Sequence, residues 1–560
     1  MQCPAGNPLL LLLLPLLSVQ THSPRDQRAR PSVTAIQRNP LDPSHSFALP
    51  FSRLTFPYGQ PLVRLLMQED ASYPFLRPPA RSPRATATLC PGHPMRNFRL
   101  HQRSHRHSLQ IASILLYSIL ASAVLLVTGC GGGTSSTTAS VRHDWTWVGG
   151  SQTASQPGVY GTQGEPSTQN IPGARSGSAF WTDRQGNFWL FGGVGIANSQ
   201  SAGNLNDVWE YQPSSNQWTW VSGTQQANQP AVFGTIGVAS ANNIPVGRIN
   251  AQTWTDLQGN LWLFSGNNTY SDMWKFTPSS AEWTFMGGST QNNFSVGPPK
   301  GIYGTLGQPA ATNLPGPRID AITWTDAQGN FWMYGGTGYD INGKGSQLGD
   351  LWRFTPANAE WTWMGGSSTA APPASYGTKA VASASNTPGG RSGSAFWSDG
   401  QGNLWLYGGI DSEGYGSDLW KYSNGEWTWI AGSNQPNQPV YGTEGVPSPI
   451  STPGGRNASA SWMDAQGNLW LFGGSDVNAL VYNDLWEFTN GQWLWVNGPV
   501  VPSGYGSFGV KGVGSSSNQP PPRIAACGWV DSSGNLWLFS GSNLDIGRSF
   551  WNNDLWEYTP

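Results

Sequence analysis

The sequence predicts an all-β protein assembled from six copies of one four-stranded unit, and three observations carry that prediction. Short aromatic and β-branched runs alternate with Gly, Pro, Asn and Asp clusters from Val141 to Pro560, the punctuation of strands and turns. No segment of that region holds an apolar period of 3.6 for the length of a helix. The text also returns: Arg175, Arg248, Arg318, Arg391, Arg456 and Arg523 each open a run ending in Trp, at spacings of 65 to 73 residues.

The first copy shows the unit. Strand a leads from Arg175 to Trp181 and meets strand b at Asp183-Arg184-Gln185-Gly186-Asn187, a turn whose Gly and Asn accept positive φ. Strand b (Phe-Trp-Leu-Phe) ends in Gly192-Gly193, strand c starts at Asp207 with Trp209 two residues on, and strand d is Trp218-Thr219-Trp220. Strand c reopens at Asp272, Asp350, Asp418, Asp484 and Asp554. Strands a, b and c occur six times, but only five d strands follow them; the sixth is His143-Asp144-Trp145-Thr146-Trp147, ahead of the first a. A ring closed by pairing that strand with the last c leaves no long open edge; the alternative is an open or truncated array. Of the 30 Trp, 29 occupy repeated positions, with Phe285 standing in for one, and the thirtieth is Trp551.

The strand-ending Gly-Gly, the aromatic in strand c and the Trp of strand d resemble the kelch repeat. The resemblance covers Val141 to Pro560 and implies a six-bladed kelch β-propeller closed by the N-terminal outer strand. Units near 70 residues are longer than the roughly 50 of kelch.

Upstream, residues 1–94 are Pro- and Arg-rich, have no Trp or Lys, and read as a non-native extension from an upstream start codon. Met95 opens a basic stretch, then the apolar run Ile111–Val127, then Thr128-Gly129-Cys130, the layout of a secretory signal. Its end resembles the lipobox of bacterial lipoproteins, which implies lipidation at Cys130 and membrane anchoring through buried methylenes; a 17-residue transmembrane anchor is the alternative. Residues 131–142 read as a flexible linker. The expected location is the bacterial cell envelope, lipid-anchored and facing the periplasm or the exterior.

Charge narrows the partners. Of 29 basic and 31 acidic residues, 13 and 4 precede Val141, leaving 16 against 27 and a net of −11 in the repeat region. A body this acidic offers no footprint for nucleic acid. Cys527 is the only cysteine of the repeats, so disulfides do not hold the fold; a small buried hydrophobe is expected there.

Function is expected where the unit does not repeat. The d–a connections have 27, 27, 32, 27, 26 and 27 residues and share a Tyr/Phe-Gly-Thr text, with Tyr505-Gly506-Ser507 read as the sixth instance; they read as ordered lids. The b–c loops vary, at 13, 5, 13, 8, 9 and 12 residues, and variable loops on a repeated scaffold encode specificity. Their binding candidates are Tyr339, Asp340, Asp411, Tyr415, Tyr482, Arg548, Phe550 and Trp551. Trp551 is the one off-pattern Trp, either a platform for a sugar ring or partner or a cover for the closure seam. The six Arg and six Asp are expected to pair within their own units as structure. Tyr339–Gly345 looks like the start of a Ca²⁺ loop, but its twelfth position is Leu351 rather than an acid, so no metal or cofactor is expected. All seven His lie at or before His143, which removes His-based triads and His-ligated metals from the repeats. Galactose oxidase, also a kelch propeller, needs His for its copper, so that activity is not implied here. The expectation is a monomeric, non-catalytic binding lipoprotein for a glycan or protein, with a mutarotase- or epimerase-like enzyme on small sugars as the alternative.

Overall fold

The computed structural model describes residues 143–560 except 199–201, 268, 291–298, 503–504 and 546–547. The signal segment, Cys130 and the linker lie outside the described residues. Among the described residues there are strands, bridges and turns and no helix.

The sheets follow the repeat. Ala179–Thr182, Phe188–Ile196, Ala202–Gln212 and Gln217–Ser222 pair antiparallel in sequence order as a, b, c and d. The same order recurs in the sheets that begin at Gln252, Ile322, Ala395 and Ala460. In the last sheet Cys527–Val530, Leu536–Phe539 and Leu555–Tyr558 are a, b and c, and the fourth strand is Trp145–Gly149. Trp145 sits opposite Tyr558 and Trp147 opposite Trp556. The result is a propeller-like arrangement of antiparallel sheets.

Burial explains the Trp count. Strand a buries alternate residues, as Ala179 and Trp181 are buried while Phe180 and Thr182 are half-buried; strand b (Leu261–Phe264) is buried throughout. Trp181 faces Trp189 across the a–b pair, and Trp209 faces Trp220 across c–d. Between sheets, the Phe188 ring stacks on Trp529 at 5.1 Å, joining the first sheet to the last. Full burial of a large apolar side chain is worth about 1.5–3 kcal/mol, so this aromatic layer dominates the core.

The a–b turn is fixed by its Asp. Asp183 Oδ1 accepts the backbone N–H of Gln185 and Asn187, and Oδ2 accepts Trp189 Nε1–H at 2.8 Å. Asp256, Asp326, Asp399, Asp464 and Asp531 do the same in their units. One carboxylate thus shapes the turn and anchors an indole.

Hydrogen bonds also run from unit to unit and back to the first. The second residue of each strand-b terminal pair donates its N–H to the next strand-opening Arg carbonyl: Gly193 to Arg248, Gly266 to Arg318, Gly336 to Arg391, Gly409 to Arg456, Gly474 to Arg523, and Gly541 to Arg175. Gly192 and Gly193 have φ of 64° and 93°, and a Cβ on either would lie 2.5–2.7 Å from Leu205 O or Ser178 Oγ. That is why glycine ends strand b. Ser265 takes the first of these places at φ 56°, and its hydroxyl contacts Tyr270 O and Arg318.

The d–a connections are ordered, but they are more than lids over one end. Each runs along the outer edge of the following sheet's d strand: Ser167 bridges Trp218, Ala310 bridges Trp361, Ser383 bridges Trp427, Ser448 bridges Trp493 and Ser515 bridges Trp145. Ala239–Ser240 pairs with Trp283 and Thr284 as a fifth strand. The exposed edge of every sheet is thereby covered. The sixth instance of the shared text is also displaced: Phe508-Gly509, not Tyr505-Gly506, occupies the repeated place. Phe508 packs on Trp556 at 5.0 Å as Tyr160 packs on Trp209 at 4.9 Å. A Cβ on Gly509 would meet Asn518, as one on Gly161 would meet Asn170.

Candidate functional site

The start of strand a, the end of b and the start of c meet at one end of each unit, because the Arg ties them together. Arg175 Nη1 donates to Gly192 O and Asp207 Oδ1, and Nη2 to Asp207 Oδ2 at 2.7 Å. The pairs Arg248–Asp272, Arg318–Asp350, Arg391–Asp418, Arg456–Asp484 and Arg523–Asp554 have the same bidentate geometry and are essentially inaccessible to solvent. Trp Nε1–H from strand c donates to the same carboxylate in each unit. Tyr160, Tyr303, Tyr376 and Tyr441 of the d–a connections add an O–H donor. Burial alone would push the Asp207, Asp350 and Asp418 carboxyls up; the guanidinium outweighs it and holds each below the usual range. Burial and the neighbouring carboxylate push the tyrosine hydroxyls well up. Both oxygens of each carboxylate are engaged by the Arg, and Oδ2 by the Trp as well, so these residues are framework.

The b–c loops leave from the same end. Asp340 is buried, with Oδ1 taking the N–H of Asn342 and Lys344 and Oδ2 that of Ala370. Its carboxylate therefore shapes the loop rather than facing a ligand. Tyr339, half-buried beside it, lies on a small hairpin formed by Thr337–Tyr339 and Gly345–Gln347. Asp411 Oδ1 takes the N–H of Glu413 and Gly414, and Oδ2 lies 4.0 Å from Arg391. Tyr482 is buried; its ring lies 4.5 Å from the Arg456 guanidinium and its hydroxyl donates to Asp476 at 3.0 Å. Burial and the Asp476 carboxylate push the half-buried Tyr415 hydroxyl up. The structure thus brings Tyr415, on the same loop as Asp411, near Asp476, the partner of Tyr482 on the next unit's loop. In the last loop Ser542–Asp545 pairs with Arg548–Trp551. The Arg548 side chain is outside what the structure describes; Phe550 and Trp551 are half-buried. Trp551 O accepts Ser155 N–H at 2.6 Å, so this hairpin is tied to the connection that follows the N-terminal strand. Cys527 is buried, and burial pushes its thiol up to about 12.

One residue that the loop-centred reading overlooks lies on the axis of the repeats. A cavity of about 740 Å³ is lined by the a strands of all six units. At the end where the Arg residues sit, Gly177, Asn250, Asp320, Gly393, Ala458 and Ala525 form a ring of backbone hydrogen bonds. Each N–H donates to the carbonyl of the preceding unit, and Gly177 to Ala525, at 2.7–3.3 Å. All have φ between 52° and 66°, a region that costs an ordinary residue about 1–2 kcal/mol and suits Gly, Asn and Asp better. Asp320 is the only ionisable side chain lining the cavity among the described residues. Burial pushes its carboxyl up to about 7, with the Asn250 side chain pulling weakly the other way. The signal was in the sequence: two residues after each Arg stand Gly, Asn, Asp, Gly, Ala and Ala, and one of the six is charged.

No protein-family model matches the chain, and no curated protein matches it.

Proposed function

We propose that this chain is a lipid-anchored binding protein of the bacterial cell envelope, with residues 143–560 forming a closed six-bladed kelch-type β-propeller. The loop face recognises a glycan or protein partner, and Cys130 carries the lipid. The observation that supports the reading most is the division of labour at one end of the sheets. The Arg–Asp positions recur six times, while the b–c loops between them vary from 5 to 13 residues. Return of the Gly541 hydrogen bond to Arg175 supports ring closure. Use of the Asp340 and Asp411 oxygens by backbone amides favours recognition over acid–base catalysis by those loops.

The test is a glycan array and an envelope-protein pull-down with wild type and Trp551→Ala. A bound class that weakens at least about tenfold in the variant supports the reading, and binding indifferent to the substitution removes Trp551 from it. Fractionation of cells carrying Cys130→Ala tests the anchor, since the body must then leave the membrane fraction.

A further inference from the structure

The axial cavity has a lining unlike the framework around it. Five residues beyond each strand-opening Arg stand Phe180, Thr253, Thr323, Phe396, Ser461 and Gly528, and all six line it. The a strands neighbour one another in sequence order and the last adjoins the first, so Phe180 and Phe396 are three strands apart counted either way. Thr253 and Thr323 fill one side between the two phenyl rings, Ser461 and Gly528 the other. The hydrogen-bonded ring holding Asp320 lies three residues nearer the Arg end, at most about 10 Å at the rise of a strand.

We propose that this cavity binds an amino sugar, with its ammonium group on Asp320, its hydroxyls on Thr253, Thr323 and Ser461, and its C–H faces against Phe180 and Phe396. Each part of the lining selects one part of that ligand. No cation lines the cavity among the described residues, so an anion finds no partner, whereas an ammonium ion supplies the charge that the carboxylate lacks. The neighbouring guanidiniums cannot supply it: Arg248, Arg318 and Arg391 are each committed to their own Asp. The Thr253 and Thr323 hydroxyls can both donate and accept, while Ser461 Oγ donates to Phe396 O at 3.1 Å and is left to accept, which fits a polyol better than an alkylamine. Aromatic faces suit the apolar side of a sugar ring. A span of up to about 10 Å from carboxylate to phenyl layer and a volume of about 740 Å³ leave room for a disaccharide. The acidic body, at net −11, draws cations toward it.

This site is built from the innermost strands and does not rest on the loop-face reading. The experiment is isothermal titration of the full chain at pH 7 with the free-amine glucosamine disaccharide, its fully N-acetylated form and cellobiose. The amine is expected to bind at least about tenfold tighter than either neutral analogue. Asp320→Asn is expected to erase that preference while leaving cellobiose unchanged, and Thr323→Val to weaken all three alike. Equal affinities, no binding at millimolar concentration, a preference that survives Asp320→Asn, or one that disappears in Trp551→Ala would each overturn the proposal. Should Asp320→Asn not fold, Asp320→Gly, the residue that units one and four carry at this place, decides: it must erase the preference for the amine and leave cellobiose unchanged. A preference that survives it sinks the proposal.

Discussion

Asp418 is a fully buried carboxylate and Asp320 a half-buried one at the same end of the sheets, and they behave in opposite ways. Asp418 holds Arg391 bidentately and also accepts from Trp420 and Tyr376; burial raises its carboxyl, but the guanidinium wins and keeps it charged. Asp320 faces a cavity without a cation, and burial raises its carboxyl to about 7. The first sits at a position filled identically six times, the second where the backbone repeats and the side chain does not. Repetition with full satisfaction marks framework. A charge that breaks the repeat on a constrained backbone marks a site.

The sharpest way to break that contrast is to unpair the framework. Arg391→Met leaves Asp418 buried without its cation, and losing one partner of such a pair costs about 3–5 kcal/mol. Urea unfolding is expected to show that loss, with the double variant Arg391→Met/Asp418→Leu recovering much of it. A single variant within about 1 kcal/mol of wild type would mean that the layer is not structural.

Asp320 should respond with the other sign. Its folded carboxyl is raised, so its ionisation costs stability as pH climbs from the ordinary value near 4 toward about 7. Asp207, Asp350 and Asp418 are depressed; their contribution is present above about pH 4 and is lost as pH falls below it. Asp320→Asn is therefore expected to stabilise the protein by roughly 1–3 kcal/mol at pH 8 and to change nothing at pH 4. Thermal melts at both pH values check this, and a gain at pH 4 would place the effect in strain rather than charge.

A smaller cut within the framework is Tyr376→Phe. It removes one of the donors to Asp418 while Arg391 and Trp420 remain, so a loss of about 1.5 kcal/mol is expected, the lower end for a bond to a charged group. Chemical denaturation measures it. Units two and six already carry Phe233 and Phe508 at this place, which is why the loss is modest.

Most of this framework could be read from the chain, because a strand register written six times leaves little freedom. The Arg, the Asp two residues before the strand-c Trp and the missing d strand each named their partners by count. The edge role of the d–a connections could not be read, since they pair through backbone and touch the sheet at single bridges such as Ser167 to Trp218. Nor could the fate of Asp340: an acid in a variable loop looks like a ligand until three backbone amides claim it. Asp320 was hidden for the opposite reason, lying inside the repeat, where the eye expects scaffold.

Trp551 is the remaining test of the contrast, because it breaks the pattern as Asp320 does but lies at the seam. Its backbone carbonyl already serves the seam through Ser155, and that bond survives loss of the indole. If the half-buried ring is held for recognition, Trp551→Ala stays within about 0.5 kcal/mol of wild type, the range of a surface substitution, while binding falls. If the ring seals the junction between Ser155 and the Ser542–Asp545 hairpin, unfolding shifts by about 2 kcal/mol or more, as for a packed aromatic, and binding weakens only as stability does. Denaturation and binding measured on the same preparation separate the two, and the second result would return Trp551 to the framework with the other 29 Trp.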